Sequence, residues 1–242
     1  DNGTAGSDNP PFGTRFDVTT DDGTVTADTV VSNLNPAVAE QELLPSGLRR
    51  HDDDYWERST LAPSAYMLYL GVEGSVEPLE HHTLVLPTDW DAHFEAIFDE
   101  PTWPDDPAYY VSVPSRTDDT VAPDDHEAVV VLVPVAPGLD DGPAARDRYR
   151  IVVEEDACVQ EFSDRLGAPG GSALGLAHTL DQTGPLRPGH RGGAPGLYFT
   201  GGYTTPGIGV PMTLLSGSQT ADAVRTDAET DRILPASVPL PL

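Results

Sequence analysis

The chain has 242 residues and carries 13 arginines, no lysine and 40 acidic side chains, which give a net charge of -27 at neutral pH. Because such a polyanion repels nucleic acid and has no basic stripe that could release counterions, we expect no nucleic-acid partner. The single cysteine, Cys158, excludes an internal disulfide framework and a multi-cysteine zinc site, and it favours a cytoplasmic location.

The acidic residues are spread over the whole length of the chain. A uniform acidic excess is typical of proteins that stay dissolved in concentrated salt, where the screening length falls to roughly 3 Å at 1 M. We therefore interpret the chain as halophilic, and the absence of lysine makes an ordinary acidic protein the weaker alternative. We expect neither a transmembrane helix nor a signal peptide, because no apolar run is long enough and the first residues are polar.

The first part of the chain is predicted to begin with disorder and continue as a hairpin. Residues 1–13 are rich in Gly, Asn, Asp and Pro and are expected to be disordered. Residues 15–20 and 24–32 are predicted as two strands around a tight turn at Asp22-Gly23. A short helix is expected over 37–44, followed by an acidic loop at 51–54.

The central part alternates apolar strands with acidic and proline-rich loops. Strands are predicted at 65–70, 82–86, 109–113 and 128–135, and the last is apolar enough to lie in a sheet covered on both faces. Asp89 is predicted to cap a helix. Four apolar residues of this helix fall on one face, which we expect to be core; they are Trp90, Phe94, Ile97 and Phe98.

The last part is rich in glycine and small residues from 167 to 196, and a final strand is predicted at 197–200. A Gly/Pro turn then leads into a helix expected from 210 to about 224, whose small residues Gly217, Ser218 and Ala221 would let it pack closely on a sheet. A proline-rich tail completes the chain.

The segment 197–212 is the most informative about chemistry. Its glycines allow a tight turn, and the helix that follows begins with unpaired amides that favour a phosphate or the electron-rich edge of a reduced flavin. Spacing alone gives a weak signal, because Met212 occupies the third glycine position of a dinucleotide fingerprint. A generic strand, turn and helix remains the alternative.

Four stretches resemble the bacterial-type phytoene desaturase family, which comprises carotenoid desaturases of the FAD-dependent, amine-oxidase-like superfamily. They follow the family's order over almost the whole chain. They are residues 27–33 (Ala-Asp-Thr-Val-Val-Ser-Asn), 81–83 with the helix at 91–98 and 104–107, 171–176 with Gln182 and 186–188, and 201–211.

The resemblance implies a mixed α/β fold, namely the C-terminal portion of a two-domain FAD-dependent oxidoreductase without its N-terminal dinucleotide-binding βαβ unit. Residues 14–48 and 167–226 would belong to the FAD-binding domain, 49–166 to the sheet and helices of the substrate domain, and 227–242 to the tail. The family's N-terminal fingerprint and a helical stretch between Arg150 and Ile151 are absent from this chain. Autonomous FAD binding and turnover by this chain are therefore left open.

By resemblance, the parent reaction removes a hydride from an allylic carbon of a long polyene to the flavin, while a proton leaves the neighbouring carbon. The substrate, a carotenoid such as phytoene, would lie in an apolar tunnel. Tyr66, Leu68 and Leu70 are tunnel candidates, with core packing as the alternative. Two alternatives keep the fold, a carotenoid 3,4-desaturase and a polyene isomerase. A third is a non-catalytic remnant that binds a polyene or a partner.

The cofactor-binding residues implied by the resemblance all lie in the last motif; they are Gly201, Gly202, Tyr203, Thr204, Pro206, Gly207, Gly209, Val210, Pro211 and Met212. His81 and His82 are the candidates for proton transfer, because imidazole titrates near neutrality, although we favour a structural or flavin-orienting role. No metal-binding motif is present, and we predict no metal. Peripheral contact with a membrane, an N-terminal half and a second copy of the chain remain open as partners.

Overall fold

The computed structural model describes residues 16–142 and 155–230, which form two compact units. Unit 1 comprises the described residues up to Thr60 and from His178 onward, and unit 2 comprises Leu61 to Ala177. Helices and strands are mixed in this part of the chain, so the predicted mixed α/β class is confirmed. The assignment of the units to FAD and substrate remains a prediction, as do its boundaries.

Unit 1 begins with the predicted hairpin, in which β1 (Phe16–Thr20) pairs antiparallel with β2 (Gly23–Ala27). The predicted second strand is shorter than expected, because the chain leaves the hairpin after β2. It continues as β3 (Val30–Ser32), which pairs in parallel with β9 (Leu197–Phe199). The expectation of one continuous strand over 24–32 was therefore wrong, since its two ends have different partners.

One edge of β3 has no neighbouring strand among the described residues. The Val30 amide donates to the Gly196 carbonyl at 2.8 Å, and the Thr200 amide donates to the Ser32 carbonyl at 3.0 Å, so Val30 and Ser32 direct their peptide groups toward β9. The backbone N–H and C=O groups of successive residues point to opposite edges of a strand, so the groups of Val31 point away from β9. They have no hydrogen-bond partner among the described residues, and half of the Val31 side chain is exposed.

The two faces of the parallel pair are covered differently. On one face, five buried residues form a cluster with the hairpin and the segment after β3; they are Phe16, Ala39, Ala194, Leu197 and Phe199. On the other face, helix α5 (Val210–Glu229) lies over β9, where Ala223 and Val224 contact Tyr198. Strand β9 is therefore buried on both sides.

Helix α5 is longer than predicted and packs through a different face. Its buried residues recur at helical spacing; they are Ser216, Thr220, Ala223 and Asp227. Gly217, Ser218 and Ala221 are exposed, so the expectation that they pack on the sheet was wrong. The Ser216 and Thr220 hydroxyls make buried hydrogen bonds to β9 and to the turn after it, which fixes the orientation of the helix.

Two short helices precede unit 2. Helix α1 (Pro36–Val38) continues as a π-helical turn (Ala39–Leu43), which confirms the predicted short helix. Helix α2 (Asp53–Arg58) occupies the segment expected to be an acidic loop. That expectation was wrong because Asp52 acts as an N-cap, accepting the Tyr55 amide at 2.8 Å, so the acidic residues begin a helix.

Unit 2 is built on a five-stranded sheet in which every neighbouring pair is antiparallel. The most apolar predicted strand is central in the sheet. Its residues are mostly buried on one face and, apart from the exposed His126, half-buried on the other, so one face is covered less than expected. In the order of the sheet, the strands are β5 (His82–Val85), β6 (Tyr109–Ser112), β7 (His126–Val135), β4 (Ser64–Glu73) and β8 (Glu155–Ala157).

The core of unit 2 lies between the sheet and helix α4 (Val159–Leu166). The Cys158 amide donates to the Glu161 carboxylate at 2.9 Å, which begins the helix. Two of the tunnel candidates, Tyr66 and Leu68, are only 2% and 3% exposed and pack within this core. Within unit 2 these two side chains therefore fill the core, which was the alternative to a tunnel lining.

Helix α3 (Trp90–Phe94) begins at the predicted cap, where the Asp89 carboxylate accepts the Ala92 amide at 3.1 Å. The predicted core face was largely wrong: Ile97 is buried, but Trp90, Phe94 and Phe98 are 43%, 49% and 52% exposed. The helix continues as a π-helical turn, in which the Glu100 amide bonds to the Glu95 carbonyl at 2.8 Å. A π-helical turn holds more residues than an α-helical turn. Apolar residues spaced for a 3.6-residue period therefore do not stay on one face of this helix.

Among the described residues, no helix is long and apolar enough to cross a membrane. The predictions for residues 1–13, for the junction between Arg150 and Ile151, and for the tail beyond residue 230 lie outside the described residues.

Candidate cofactor site

The candidate site is the glycine turn, which we define as residues 200–209, together with the start of α5. Strand β9 delivers the chain into this turn, and the helix begins at Val210. Gly201, Gly207 and Gly209 have φ angles of +113°, +129° and +110°, which side chains with a Cβ rarely adopt. The turn therefore depends on glycine at these three positions.

Two buried hydroxyls hold the beginning of the turn. The Ser216 hydroxyl accepts the Gly201 amide at 2.9 Å and lies 2.8 Å from the Thr204 hydroxyl. The Thr204 hydroxyl also donates to the Gly201 carbonyl at 3.0 Å, and both Thr204 and Ser216 are completely buried. The first half of the turn is thus fixed by the chain's own side chains.

A second support is the strap, which we define as residues 187–190. The Arg187 guanidinium donates to the Gly202 carbonyl at 2.7 Å, and the Pro188 carbonyl accepts the Thr205 amide at 2.9 Å. His190 Nε2 lies 3.1 Å from the Thr205 hydroxyl, and its Nδ1 lies 3.0 Å from the hydroxyl of Thr220 on α5. The strap therefore connects both halves of the turn to the helix.

The glycines differ in the space beside them. A Cβ added at Gly201 would lie 2.7 Å from the Asn33 side-chain oxygen, and one added at Gly207 would collide with the His178 ring. At Gly209 such an atom would meet nothing within 4 Å. Gly201 and Gly207 are therefore packed against the protein itself, and the open approach for a ligand lies at Gly209.

The start of α5 offers unpartnered donors beside this open side. The Thr213 amide makes the first helical bond, to the Gly209 carbonyl at 2.9 Å, and Pro211 has no amide proton. The Val210 and Met212 amides have no partner among the described residues. Because the amides at a helix start carry partial positive charge, this end favours an anionic or electron-rich oxygen.

The glycine turn is half-buried or buried over most of its length, and only Gly209 and the following Val210 are exposed. Unit 1 contains a cavity of about 700 Å³ lined by the hairpin, β3 and residues 39–48, and another of about 420 Å³ lined by residues 191–198 and Asp227. Neither of these two cavities is lined by residues 201–212.

Charge and burial distinguish the inner side of the turn from its open side. Burial raises the pKa of the Tyr203 phenol to about 12, so the phenol stays neutral. Burial also lowers the pKa of the Arg187 guanidinium from its ordinary value, although arginine keeps its charge in proteins. A cation therefore lies on the inner side of the turn. Together with the Gly209 opening and the unpartnered amides, it fits an anionic dinucleotide such as FAD.

The two histidine candidates lie in unit 2, whereas all the predicted cofactor-binding residues lie together in unit 1. His81 Nδ1 lies 2.6 Å from the Thr117 hydroxyl, and His82 Nδ1 lies 2.6 Å from the Tyr110 hydroxyl. The two rings are 4.1 Å apart. These bonds connect the start of β5 to Thr117 and to Tyr110 on β6, which is what a structural role requires. Proton transfer by either histidine stays a prediction.

Sequence reasoning did not single out several residues that shape the site. Asn33 and Arg187 belong to motifs that carried the resemblance, so their motifs were a signal for them. His178, His190 and Ser216 belong to no motif and follow only from the fold. Among residues 16–142 and 155–230, no group of three or more His, Cys, Asp and Glu side chains could hold a metal ion.

A strand that runs through a glycine turn into a helix with unpartnered amides is an arrangement by which α/β oxidoreductases hold nucleotide cofactors. The chain is 58% identical over 219 residues to a carotenoid 3,4-desaturase from Haloarcula japonica. It is 33% identical over 227 residues to a zeta-carotene-forming phytoene desaturase from Myxococcus xanthus. The resemblance inferred from the motifs is thereby confirmed, and the chain is homologous to the phytoene and carotenoid desaturases.

The matches cover most of this chain but less than half of each relative. They span 83% and 84% of the chain, and 44% and 43% of the two relatives, and they correspond to a C-terminal portion of the family. No protein-family model matches the chain. A solved structure of an oxidoreductase from Methanosarcina mazei aligns with 84% of this chain and 44% of its own, with 20% identity and a TM-score of 0.47. The haloarchaeal source of the first relative fits the halophilic interpretation.

Proposed function

We propose that this chain is the C-terminal portion of an FAD-dependent carotenoid desaturase and supplies the flavin end of its cofactor site. The observation that carries the proposal is the open side of Gly209 beside the unpartnered amides of Val210 and Met212. It coincides with the motif through which the chain resembles the desaturases, and the homology supports the parent activity.

In this proposal the residues of the turn have separate tasks. The amides at the start of α5 bind the electron-rich edge of the cofactor, and Gly209 lets it approach the backbone. Val210, which is 75% exposed, offers an apolar contact for a flat ring. When bound, FAD would supply the acceptor for a hydride from an allylic carbon of the polyene. The described residues of the turn bind and orient, and none of them is assigned a proton transfer.

The open edge of β3 supports a site that is shared with a nucleotide-binding βαβ unit. Parallel sheets are normally larger than two strands and covered on both faces. The Val31 peptide groups lack partners among the described residues, and the chain spans only 44% of its Haloarcula relative. We propose that a parallel strand of such a unit pairs with β3 and brings the remaining anchors for the dinucleotide.

The identities favour one substrate alternative. Over aligned stretches of 219 and 227 residues, the chain is 58% identical to a carotenoid 3,4-desaturase and 33% identical to a phytoene desaturase. We therefore propose a carotenoid as the long polyene substrate and 3,4-desaturation as the preferred alternative to phytoene desaturation.

We also propose a cytoplasmic location at the membrane surface, because a hydrocarbon substrate dissolves in the bilayer. The exposed rings of Trp90, Phe94 and Phe98 support contact with an apolar phase.

The test is flavin binding in concentrated KCl. The full 242-residue chain is mixed with FAD, alone and together with the part of the Haloarcula relative that it does not match, and the flavin absorbance and fluorescence are recorded. We expect a bound-flavin spectrum at least in the mixture. A chain that is folded by circular dichroism yet leaves the flavin free in both samples would contradict the proposal and favour a non-catalytic remnant.

A matched pair of variants locates the site. Gly209→Val places a side chain in the open approach, and we expect it to abolish flavin binding by the mixture. Gly184→Val is the control, because Gly184 also has a positive φ, +56°, and open space but lies outside the turn. If both variants bind flavin as the unchanged chain does, the glycine turn is not the site.

A further inference from the structure

One peptide group within the turn is held in a fixed direction by a buried charge. The Arg187 side chain is 2% exposed, and its Nη2 donates to the Gly202 carbonyl at 2.7 Å. A hydrogen bond from a charged donor is stronger than one between neutral groups. The Gly202 carbonyl is therefore directed toward the guanidinium.

The direction of this carbonyl sets the direction of the next amide. The peptide bond between Gly202 and Tyr203 is trans and planar, so its C=O and N–H point to opposite sides. With the carbonyl turned toward Arg187, the Tyr203 amide points away from the guanidinium. The bond to Arg187 thus orients a donor that Arg187 itself does not touch.

The Tyr203 amide and the Gly202 amide before it have no partner among the described residues, unlike three other amides of the turn. The Gly201 amide donates to Ser216, the Thr204 amide donates to the Gly201 carbonyl at 3.2 Å, and the Thr205 amide donates to the Pro188 carbonyl. The Tyr203 amide makes no hydrogen bond to any described residue. Within this run, the Gly202 and Tyr203 amides are left for a ligand, and the Tyr203 amide is the one that the bond to Arg187 orients.

We propose that Arg187 is a positioning residue of the cofactor site, which holds the Gly202–Tyr203 peptide so that the Tyr203 amide donates to a phosphate oxygen of a dinucleotide. The inference rests on the proposed flavin site and adds a donor and the residue that orients it. Lysine at this position can still donate one bond to the carbonyl, whereas methionine keeps only the apolar stem.

The experiment compares Arg187→Met, Arg187→Lys and a control, Arg191→Met, in the full chain in concentrated KCl. Arg191 lies just beyond the strap, and its guanidinium bonds to Asp227 and not to the turn. Without ligand, the carbonyl carbon resonance of Gly202 and the amide resonance of Tyr203 are recorded. FAD and riboflavin are then titrated under the conditions in which the unchanged chain binds flavin. Riboflavin serves as the probe without phosphate.

We expect Arg187→Met to shift both resonances, Arg187→Lys to restore them, and Arg191→Met to leave them unchanged. With FAD, we expect Arg187→Met to bind about tenfold more weakly and to lose the ligand-induced shift of the Tyr203 amide. Riboflavin binding should not change. Equal loss for riboflavin and FAD would overturn the phosphate contact, and unshifted resonances in Arg187→Met would overturn the orienting role.

The outcome separates this inference from the proposed function. If the unchanged chain binds no FAD even in the mixture, the flavin site fails and the phosphate contact fails with it, while the ligand-free resonances still decide the orienting role. If Arg187→Met does not fold, the unchanged chain decides the matter. A scalar coupling across the hydrogen bond from Arg187 Nη2 to the Gly202 carbonyl carbon, together with a shift of the Tyr203 amide that FAD causes and riboflavin does not, supports the role, and the absence of either rejects it.

Discussion

The Ser216 hydroxyl lies 2.9 Å from the amide nitrogen of Gly201, and this bond ties α5 back to the turn that introduces it. The same oxygen lies 2.8 Å from the Thr204 hydroxyl, so one side chain supports two positions of the turn. Both hydroxyls are completely buried, and water cannot replace them. The conformation of the turn is therefore set by a residue of the helix that follows it.

Replacing Ser216 by alanine tests this bond. We expect the free energy of unfolding to fall by about 1–3 kcal/mol, because the Gly201 amide and the Thr204 hydroxyl lose a partner. Urea unfolding in concentrated KCl measures the change. Ser218→Ala is the control, since Ser218 is exposed on the same helix, and its effect should be close to zero. Similar losses for both variants would contradict the role of the buried bond.

Asp227 connects the end of α5 to β9 and to the segment after the strap. Its carboxylate accepts Arg191 Nε at 2.7 Å and Nη2 at 3.0 Å, and it accepts the Tyr198 hydroxyl at 2.9 Å. Asp227→Asn removes the charge and one acceptor, and we expect a loss of about 2–3 kcal/mol in urea unfolding.

The control for Asp227→Asn is the exposed pair between Asp222 and Arg225 on the same helix. Exposed pairs contribute about 0–1 kcal/mol, so Asp222→Asn should have little effect. A loss for Asp227→Asn no greater than that for Asp222→Asn would show that the buried carboxylate does not hold the helix end.

Two glycines of unit 1 should respond to alanine with opposite signs. Gly201→Ala forces a Cβ into a backbone with φ of +113° and against Asn33, and we expect a loss of about 1–3 kcal/mol. Gly217 lies in α5 with nothing within 4 Å of an added Cβ. Gly217→Ala should raise the stability by about 0.5–1 kcal/mol, because alanine is the better helix former. Thermal unfolding of the two variants decides the sign.

Alkaline pH should destabilise unit 1 through Tyr203. The unfolded phenol loses its proton near pH 10, whereas burial raises the pKa of the folded phenol to about 12. The phenol therefore contributes its full stability below pH 10, and this stability is lost as the pH rises from about 10 to 12. Tyr198, whose pKa is also raised to about 12 by burial and by its bond to Asp227, adds to the same loss.

Tyr203→Phe removes one of these contributions. We expect the stability of this variant to fall less steeply with pH over this window than that of the unchanged chain, as measured by urea unfolding at a series of pH values. Tyr69→Phe is the control, because Tyr69 is 45% exposed on β4. Equal slopes in the unchanged chain and in Tyr203→Phe would reject the account.

The sequence predicted the elements whose signals are local. The strand at β9, the turn after it and the cap at Asp89 follow from short patterns of apolar, glycine and capping residues. Packing faces were predicted less well. In α5, buried hydroxyls decide which face is covered, and Gly217 is exposed. In α3, the π-helical turn decides it, and three aromatic rings are exposed. An amphipathic pattern alone does not identify the covered face in either case.

The site was predictable only as far as its motif extends. The glycine turn is contiguous in sequence, and resemblance placed a cofactor there. The supports come from distant parts of the chain, because Asn33 precedes the turn by more than half the chain and Ser216 follows it on a helix. Their roles depend on the parallel pairing of β3 with β9, which has no local signal.

The edge of β3 that no described strand covers has a consequence for handling the isolated chain. Unpaired strand edges are templates on which further chains add by main-chain hydrogen bonds. At low ionic strength the net charge of -27 keeps copies apart, whereas concentrated salt screens that repulsion. Light scattering should therefore show self-association that increases with protein and salt concentration.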